Sequence, residues 1–294
     1  MIMGLTQPIK RLRERIDETL VDTIDPSIWA NIQNMEAGQN EYGFDPFGFE
    51  PDFLKYIVPV AERLYRKYFR TEVVDIENIP DSGRVLLVAN HTGQIPIDGF
   101  LLGCALLFDK KPARMVRSMV EHWVPTIPFV SWFLARAGQV VGTRENCRIL
   151  LGRDGCILVF PEGIRGINKT YDRAYELERF GLGFMRLALE TNTPIVPVGV
   201  VGGEEQMPSI WNFESLGKLL GMPAFPITPT WPLLGPLGAL PLPVKYRLYF
   251  GEPMHFEGAP DDEDRVINAQ VDRVKDALRE LIDRGLDERE GVFW

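Results

Sequence analysis

Two residues that could perform acid–base chemistry stand directly after a short apolar segment. Val85-Leu-Leu-Val-Ala89 is continuously apolar, which is typical of a strand buried on both faces of a sheet, and it leads into Asn90-His91-Thr-Gly-Gln-Ile-Pro-Ile-Asp98. Reactive groups of α/β proteins commonly lie at the carboxyl end of a strand. Histidine is the natural base at neutral pH, and a nearby carboxylate fixes its tautomer and stabilises the imidazolium. His91 and Asp98 are therefore a candidate general base and its orienting carboxylate.

The seven-position separation between these two residues leaves two arrangements open. If one helix ran through both, Asp98 would lie about 10 Å along the axis from His91, too far for contact. Gly93 and Pro96 make an unbroken helix unfavourable, and a loop that folds back could join the two side chains. In the other arrangement Asp98 only caps the helix that follows, and His91 is satisfied by backbone groups.

Two further turns also follow predicted strands. Glu162-Gly163-Ile-Arg165 comes after Cys156-Ile-Leu-Val-Phe160, and Gly142-Thr-Arg144 comes after Gln139-Val-Val141. A cation beside free backbone amides can hold an anion, although Glu162 and Arg165 could equally be a structural pair. In a parallel sheet the ends of all three strands lie on one edge, so the three turns are expected to converge.

Composition excludes several functions. The net charge of −9 argues against nucleic-acid binding, and the three histidines are far apart, so no metal site is expected. Three cysteines without a CxxC pair fit a reducing compartment. The chain contains no GxSxG elbow, no Walker A sequence and no dinucleotide fingerprint.

Alternation of strands and helices predicts an α/β fold with a mixed, largely parallel sheet covered by helices. Besides the strands above, we predict strands at Ala113–Val116, Ile195–Val201 and Val244–Phe250. Helices are predicted at Ile97–Phe108, Glu145–Arg153, Phe180–Thr191 and Asp262–Arg284.

Amphipathic helices are predicted before the sheet. One spans Gln7 to about Ala37, and another spans Pro51–Phe69, where lysines and arginines alternate with aromatic residues. That mixture fits either a lipid headgroup boundary or a helix packed on its own domain with solvated cations. The proline-rich, apolar segment Gly221–Pro243 cannot be a regular helix, and it could contact lipid, an acyl chain or its own domain. No secretory signal and no run of about 20 apolar residues is present, so a membrane span is not expected.

Together these motifs resemble the lysophospholipid and glycerolphosphate acyltransferase family. The likeness covers about residues 70 to 205, with four blocks in the family's order: Asn90-His91 with Asp98, Gly142-Thr-Arg144, Phe160-Pro-Glu162-Gly163-Ile-Arg165 and Ile195-Val-Pro197-Val198. The spacing departs from the common pattern, because six residues instead of four separate His91 from Asp98, and Ile164 replaces the usual threonine. The longer form resembles a subgroup with bacterial members and a membrane-associated relative that makes neutral lipid.

The resemblance implies a role for each matching position. His91 would deprotonate an acceptor hydroxyl that attacks the thioester of an acyl carrier, and Asp98 would orient His91. The acceptor head group would be held by Arg144, Glu162 and Arg165, with Gly163 allowing close approach. Asn90 and Pro197 would shape the pocket. The two arginines indicate an anionic acceptor, and replacing either is expected to raise the apparent Michaelis constant for it.

We therefore expect an acyltransferase that moves a fatty acyl group from acyl carrier protein or coenzyme A to a hydroxyl of a lysophospholipid or related glycerolipid. No bound cofactor is expected, since the thioester is a co-substrate. A neutral lipid acceptor, a thioester or ester hydrolase using the same histidine, and a non-catalytic lipid carrier are the alternatives. Residues 1–69 would form a helical membrane-interface portion and residues 70–294 the acyltransferase domain, attached peripherally to the cytoplasmic face of a membrane.

Overall fold

The computed structural model describes residues 6–34, 39–127, 129–219 and 225–294. The strands are β1 (Glu72–Val74), β2 (Val85–Ala89), β3 (Val116–Val120), β4 (Val140–Val141), β5 (Cys156–Val159), β6 (Ile195–Val201), β7 (Trp211–Phe213), β8 (Phe225–Ile227) and β9 (Arg247–Phe250). The helices are α1 (Thr6–Asp22), α2 (Pro26–Gln33), α3 (Leu54–Arg63), α4 (Ile97–Phe108), α5 (Val130–Arg136), α6 (Arg144–Gly152), α7 (Ile164–Ile167), α8 (Gly183–Thr191), α9 (Glu214–Leu219) and α10 (Asp264–Glu288).

Seven strands form one sheet in the order β1-β9-β6-β2-β5-β3-β4. At its centre β2 pairs in parallel with both β5 and β6, and β3 continues the parallel arrangement from β5 to β4. On the other side β9 runs antiparallel to β6, with β1 parallel to β9. The predicted mixed, largely parallel α/β fold is confirmed. A separate antiparallel ribbon joins β7 and β8.

Helices cover both faces of the sheet, which explains why β2 is apolar at every position. Leu87 and Ala89 pack in a core that contains side chains of α2, α3 and α4. Leu86 and Val88 point to the opposite face, into a core built with α6, α8 and α10. All five residues of β2 are fully buried, so each face removes apolar surface from water.

The predicted single helix from Gln7 to about Ala37 is wrong, because the helical region is divided into α1 and α2. Asp25 is the N-cap of α2, its side chain accepting the backbone N–H of Ser27 at 2.8 Å, and Pro26 occupies the first helical turn. A capping aspartate followed by proline is a helix-start signal that the sequence already contains. The last positions of the prediction, residues 35–37, lie outside the described residues.

The strand predicted at Ala113–Val116 begins at Val116 and continues to Val120. The sequence pattern does not indicate this continuation of the strand, because Arg117 and Ser118 are polar residues although both are buried. Arg117 donates to Asp45 and to the carbonyl of Gly138, which compensates its burial. Side-chain pairing with a distant loop cannot be read from the local pattern.

The predicted helix at Pro51–Phe69 consists of a 3₁₀ turn, α3 and a wider π turn at Leu64–Tyr68. Two of its cations pair within the molecule: Lys55 lies 3.0 Å from Asp17 of α1, and Arg66 lies 3.1 Å from Asp109. Its apolar side packs in the core shared with β2. These contacts fit the interpretation of a helix packed on its own domain.

The apolar segment at 221–243 is described from Phe225 onward, and its first residues, 221–224, lie outside the described residues. It forms β8 and a 3₁₀ turn, with several leucine side chains facing solvent, among them Leu233 at 82% and Leu237 at 72% exposure. None of the helices in the described ranges combines the length and apolarity needed to cross a membrane.

Candidate active site

The loop between β2 and α4 brings His91 and Asp98 together. Asp98 lies in the first turn of α4, which begins directly after Pro96. The preceding loop folds back through Gly93, whose φ of +68° is readily adopted by glycine. His91 Nδ1 is 2.7 Å from Asp98 Oδ2, which also accepts the backbone N–H of Thr92 at 2.8 Å. The other oxygen accepts the N–H of Gly99 at 2.7 Å. Asp98 therefore both holds the helix start and orients the histidine.

The imidazole of His91 is fixed on a second side by an aromatic ring. Phe160 stacks on it with ring centroids 4.1 Å apart and an interplanar angle of 18°. The His91 ring lines a large cavity, and its side chain is mostly buried. With the Nδ1 proton donated to Asp98, the Nε2 lone pair remains free to take a proton from a hydroxyl.

The turn after β5 supports the backbone of His91. Glu162 is buried, and its two oxygens accept the backbone N–H groups of His91 at 2.9 Å and of Glu178 at 2.7 Å. A β-carbon on Gly166 would lie 2.7 Å from the His91 β-carbon, so only glycine permits this approach. Gly163 adopts a positive φ of +58° and lines the cavity. In this arrangement Glu162 supports the base, while its predicted contact with the acceptor stays a prediction.

Asn90 and Pro197 connect the neighbouring strands. The Asn90 side chain donates to the carbonyl of Val200 at 3.0 Å and accepts its N–H at 2.7 Å, which fixes the end of β2 against β6. Pro197, within β6, packs closely against Gly251 and is not among the residues that line the described cavity. Both side chains hold the strands in place beneath the site.

The two predicted binding arginines occupy different places. Arg165 is exposed on α7 beside the cavity, where its guanidinium donates to the carbonyl of Arg179 at 2.9 Å. Arg144 follows β4 at the far edge of the sheet, two strands from β5. Its guanidinium lies 2.8 Å from Glu190 of α8, which also pairs with Arg148. The turns after β2 and β5 meet as predicted, whereas Arg144 is held apart from them.

A cavity of about 890 Å³ leads away from His91 into the molecule. Its walls are mostly apolar and come from α3, α4, β3, α5 and the segment 226–239. Two glycines, Gly99 and Gly103, stand on the face of α4 that lines it, together with Cys104 and Leu107. Small residues at a spacing of four on a helix were a signal available in the sequence, since they share one face.

Sequence reasoning missed one charged residue at the cavity wall, Glu121. It follows β3, lines the cavity, and places Oε1 3.2 Å from the position that a β-carbon on Gly163 would occupy. Within the described lining, Glu121 is the single acidic residue, and no lysine or arginine contributes. No motif marked Glu121, because the turn after β3 brings it to Gly163 only in the folded chain.

Comparison with known proteins identifies similar sequences. The sequence model of the Acyltransferase family matches residues 70–201, the region that contains β2, β5 and β6. An uncharacterized protein of Mycobacterium leprae is 38% identical over 260 residues, covering 86% of this chain and 71% of that protein. A protein of Gallus gallus, the DGAT1/2-independent enzyme synthesizing storage lipids, is 26% identical over 209 residues, 70% of this chain and 57% of that protein.

A solved structure shares the fold. The 1-acyl-sn-glycerophosphate (LPA) acyltransferase PlsC from Thermotoga maritima superimposes with a TM-score of 0.51 and 20% identity over 82% of each chain. The range matched by the family model, residues 70–201, contains His91, Asp98 and Glu162, which the fold brings together. This chain belongs to the lysophospholipid and glycerolphosphate acyltransferase family.

Proposed function

We propose that this protein transfers a fatty acyl group from a coenzyme A or acyl carrier protein thioester to a hydroxyl of a glycerolipid acceptor. The observation that carries the proposal is the 2.7 Å contact between His91 Nδ1 and Asp98 Oδ2 at the wall of an apolar cavity. A base of this kind needs a substrate hydroxyl within reach, and an apolar cavity of several hundred Å³ is the usual form of a site for a lipid-sized ligand.

In the proposed reaction His91 Nε2 removes the proton of the acceptor hydroxyl as its oxygen attacks the thioester carbonyl. The tetrahedral intermediate collapses with cleavage of the carbon–sulfur bond, and the imidazolium returns the proton to the departing thiolate. Asp98 stabilises the imidazolium during this cycle. The products are the ester and the free thiol carrier, so neither a covalent acyl-enzyme nor an external oxidant or reductant is required.

The cavity wall supports binding of an acyl chain. Apolar faces of α3 and α4 line it. Each methylene of an acyl chain that is buried there would contribute about 0.8 kcal/mol of favourable transfer free energy. Gly99 and Gly103 leave room along the helix where larger side chains would fill the space. The chain would extend from the thioester at His91 between the two helices.

Exposed apolar side chains near residues that line the cavity support attachment to a membrane surface. Val130 and Phe133 of α5 and Trp231 of the 226–239 segment line the cavity, while Phe129 beside them is 87% exposed. Leu233 and Leu237, from the same segment as Trp231, are also exposed. Exposed apolar side chains in the same segments as cavity-lining residues would enter lipid favourably and would give the acceptor a path from the bilayer.

Two acceptor classes remain candidates, each favoured by one observation. Arg165 stands exposed beside Gly163, where a phosphate could reach it, and this favours a lysophospholipid. Glu121 directs a carboxylate at Gly163, and this favours an acceptor without charge near its hydroxyl, such as a diacylglycerol. The name of the Gallus gallus relative, which refers to storage lipids, agrees with the second class.

The direct experiment incubates purified protein with palmitoyl-coenzyme A or palmitoyl acyl carrier protein and with lysophosphatidic acid, glycerol 3-phosphate or diacylglycerol in mixed vesicles. Products are identified by mass. His91→Ala should lower the rate about 10²- to 10⁴-fold, as for removal of a general base, and the exposed His122→Ala serves as the matched control. Full activity of His91→Ala would refute the proposal.

The acceptor classes separate in two variants. Arg165→Ala should raise the apparent Michaelis constant for lysophosphatidic acid if the phosphate binds there, and should leave diacylglycerol unaffected. Glu121→Gln should lower that constant for lysophosphatidic acid, because a repelling carboxylate has been removed. Release of free fatty acid at an undiminished rate when acceptor lipids are added would instead indicate a thioester hydrolase.

A further inference from the structure

A buried polar segment beyond the family match lies against the loop that carries His91. The segment is Glu204-Glu-Gln206, which follows β6 after Gly202 and Gly203. All three side chains are buried, Gln206 completely. Burial of a polar group is costly without a partner. Gln206 Oε1 has no hydrogen-bond partner among the described residues, and the partners of the other polar groups indicate what the segment does.

Two of these side chains bind the backbone between His91 and Asp98, here called the 92–96 loop. Gln206 Nε2 donates to the carbonyl of Ile95 at 2.7 Å, and Glu204 Oε2 accepts the N–H of Gly93 at 3.4 Å. Glu204 Oε1 is 2.8 Å from the buried ammonium of Lys169, whose own carbonyl accepts from the Gln94 side chain at 2.9 Å. Three consecutive residues of the loop are thus anchored by one buried network.

The backbones of the two segments also touch. A β-carbon on Gly203 would lie 1.8 Å from Thr92 Oγ1, and a β-carbon on Gly93 would lie 2.5 Å from the Gly203 carbonyl oxygen. Both glycines therefore permit an approach that other residues would block. The contact sets the position of the loop against β6, independently of the hydrogen bonds that Asp98 makes.

The length of the 92–96 loop explains why external anchoring is needed. Asp98 is fixed in α4 and His91 at the end of β2, so the residues between them must fold back to close a 2.7 Å contact. Fixing each loop residue in one conformation is opposed by about 1–2 kcal/mol of backbone entropy. The hydrogen bond to Asp98 alone does not hold Gly93, Gln94 and Ile95.

We propose that Glu204 and Gln206 are positioning residues for catalysis, which hold the 92–96 loop in the conformation that pairs His91 with Asp98. The proposal rests on the proposed acyl transfer for its effect on rate, although the effect on the histidine does not depend on it. The ammonium group of Lys169 compensates the negative charge of the buried Glu204 carboxylate. Burial raises the pKa of Glu204, and the nearby Lys169 ammonium opposes that rise.

The neighbouring Glu205 offers a matched control. It is buried to the same extent as Glu204, but it pairs with Arg289 and accepts from the Tyr175 hydroxyl, so it does not touch the 92–96 loop. Glu205→Gln removes a buried charge from the same segment and leaves the loop contacts in place. Any effect common to Glu204→Gln and Glu205→Gln reports general destabilisation.

The experiment compares Gln206→Met, Glu204→Gln and Glu205→Gln in the full chain labelled with ¹⁵N-histidine. Three histidines are present, so assignment of the His91 ring against His91→Ala is straightforward. A hydrogen bond from Nδ1 to a carboxylate gives a downfield proton signal, and Asp98→Ala provides the spectrum without it. Thermal unfolding is measured on the same samples, together with steady-state rates for the acceptor lipid that the wild-type protein uses.

Gln206→Met, a neutral and similarly sized change, should weaken or abolish the downfield His91 signal. It should lower kcat about 10- to 100-fold with the Michaelis constants changed less than about threefold, since a misplaced base binds substrate normally. Glu204→Gln should act alike, and Glu205→Gln should retain both signal and rate. If Glu204→Gln does not fold, Gln206→Met alone carries the test.

An unchanged His91 signal in folded Gln206→Met would overturn the proposal. So would equal losses in Glu205→Gln, because the segment would then only stabilise the fold. If the wild type has no transferase activity but Gln206→Met still alters the His91 signal, the positioning role stands and the proposed function fails. The two failures are therefore distinguishable.

Discussion

Replacement of Asp98 by asparagine tests how the site controls its base. The aspartate accepts three hydrogen bonds shorter than 3 Å: Oδ2 from His91 Nδ1 and from the Thr92 N–H, and Oδ1 from the Gly99 N–H. Asparagine has one accepting oxygen and a donating NH₂ group. With its oxygen at the Oδ2 position it keeps two of the three bonds, and its NH₂ group opposes the Gly99 N–H. The reverse orientation loses two bonds, so the first is favoured.

The expected magnitudes follow from that orientation. One opposed pair of buried donors lowers the free energy of unfolding by about 1–3 kcal/mol. The His91 tautomer is retained, while the charge that stabilises the imidazolium is lost. Exchanging a charged for a neutral hydrogen bond weakens it by about 1.5 kcal/mol, which corresponds to about tenfold in rate. If the asparagine instead forced the other tautomer, the loss in kcat would approach about 10⁴-fold.

Asp98→Asn, Asp98→Ala and His91→Ala should be compared in a continuous assay of thiol release from acyl-coenzyme A, with urea unfolding of each variant. Asp98→Asn should keep about one-tenth of the wild-type rate, and Asp98→Ala should lose about 10²- to 10⁴-fold because nothing then orients the ring. An Asp98→Asn variant as inactive as His91→Ala would refute the orientation argument. Wild-type rates in both Asp98 variants would remove Asp98 from the mechanism.

Three further predictions concern the cavity, the core and the thiols. Gly103→Leu places a side chain of α4 in the cavity, so the rate with palmitoyl-coenzyme A should fall more than the rate with octanoyl-coenzyme A. The ratio of the two kcat/KM values measures this difference. An unchanged ratio would exclude an acyl chain beside α4. Asp45→Asn leaves the buried Arg117 without its countercharge, so the free energy of unfolding measured in urea should fall by about 3–5 kcal/mol. Asp264→Asn, in an exposed pair, should lower it by less than about 1 kcal/mol. Burial raises the pKa of Cys147 to about 11 and that of Cys156 to about 12, so iodoacetamide at pH 8 should alkylate both rapidly only in denaturant; rapid native labelling would show that these thiols are accessible.

Local sequence patterns identified those strands and helices that are determined by residues close together in the chain. The apolar run of β2 predicted a buried central strand, and the apolar run after Pro96 predicted α4 with its observed bounds. The same patterns gave wrong strand bounds where a buried polar residue pairs with a residue far away in the chain. Arg117 concealed the middle of β3 because its partner, Asp45, lies 72 positions earlier in the chain.

The candidate site divides in a similar way. His91, Asp98, Glu162 and Gly163 were identified from residue type, from their place after strands and from family likeness, and they meet where β2 and β5 end side by side. Glu162 was expected at the acceptor, yet it accepts the His91 backbone N–H. Arg144 was expected beside it, but the sheet order places β4 at the edge, where Glu190 of α8 binds the guanidinium.

The sequence by itself determined the chemistry available to this protein: a histidine, a carboxylate seven positions later and the strands that end beside them. It could not decide whether those two side chains meet, because a continuous helix would separate them, whereas a folded loop would bring them together. Tertiary structure decided this by placing Glu204 and Gln206, more than 100 positions away, against the 92–96 loop. Contacts between such distant residues depend on the order of strands in the sheet, which local spacing does not encode.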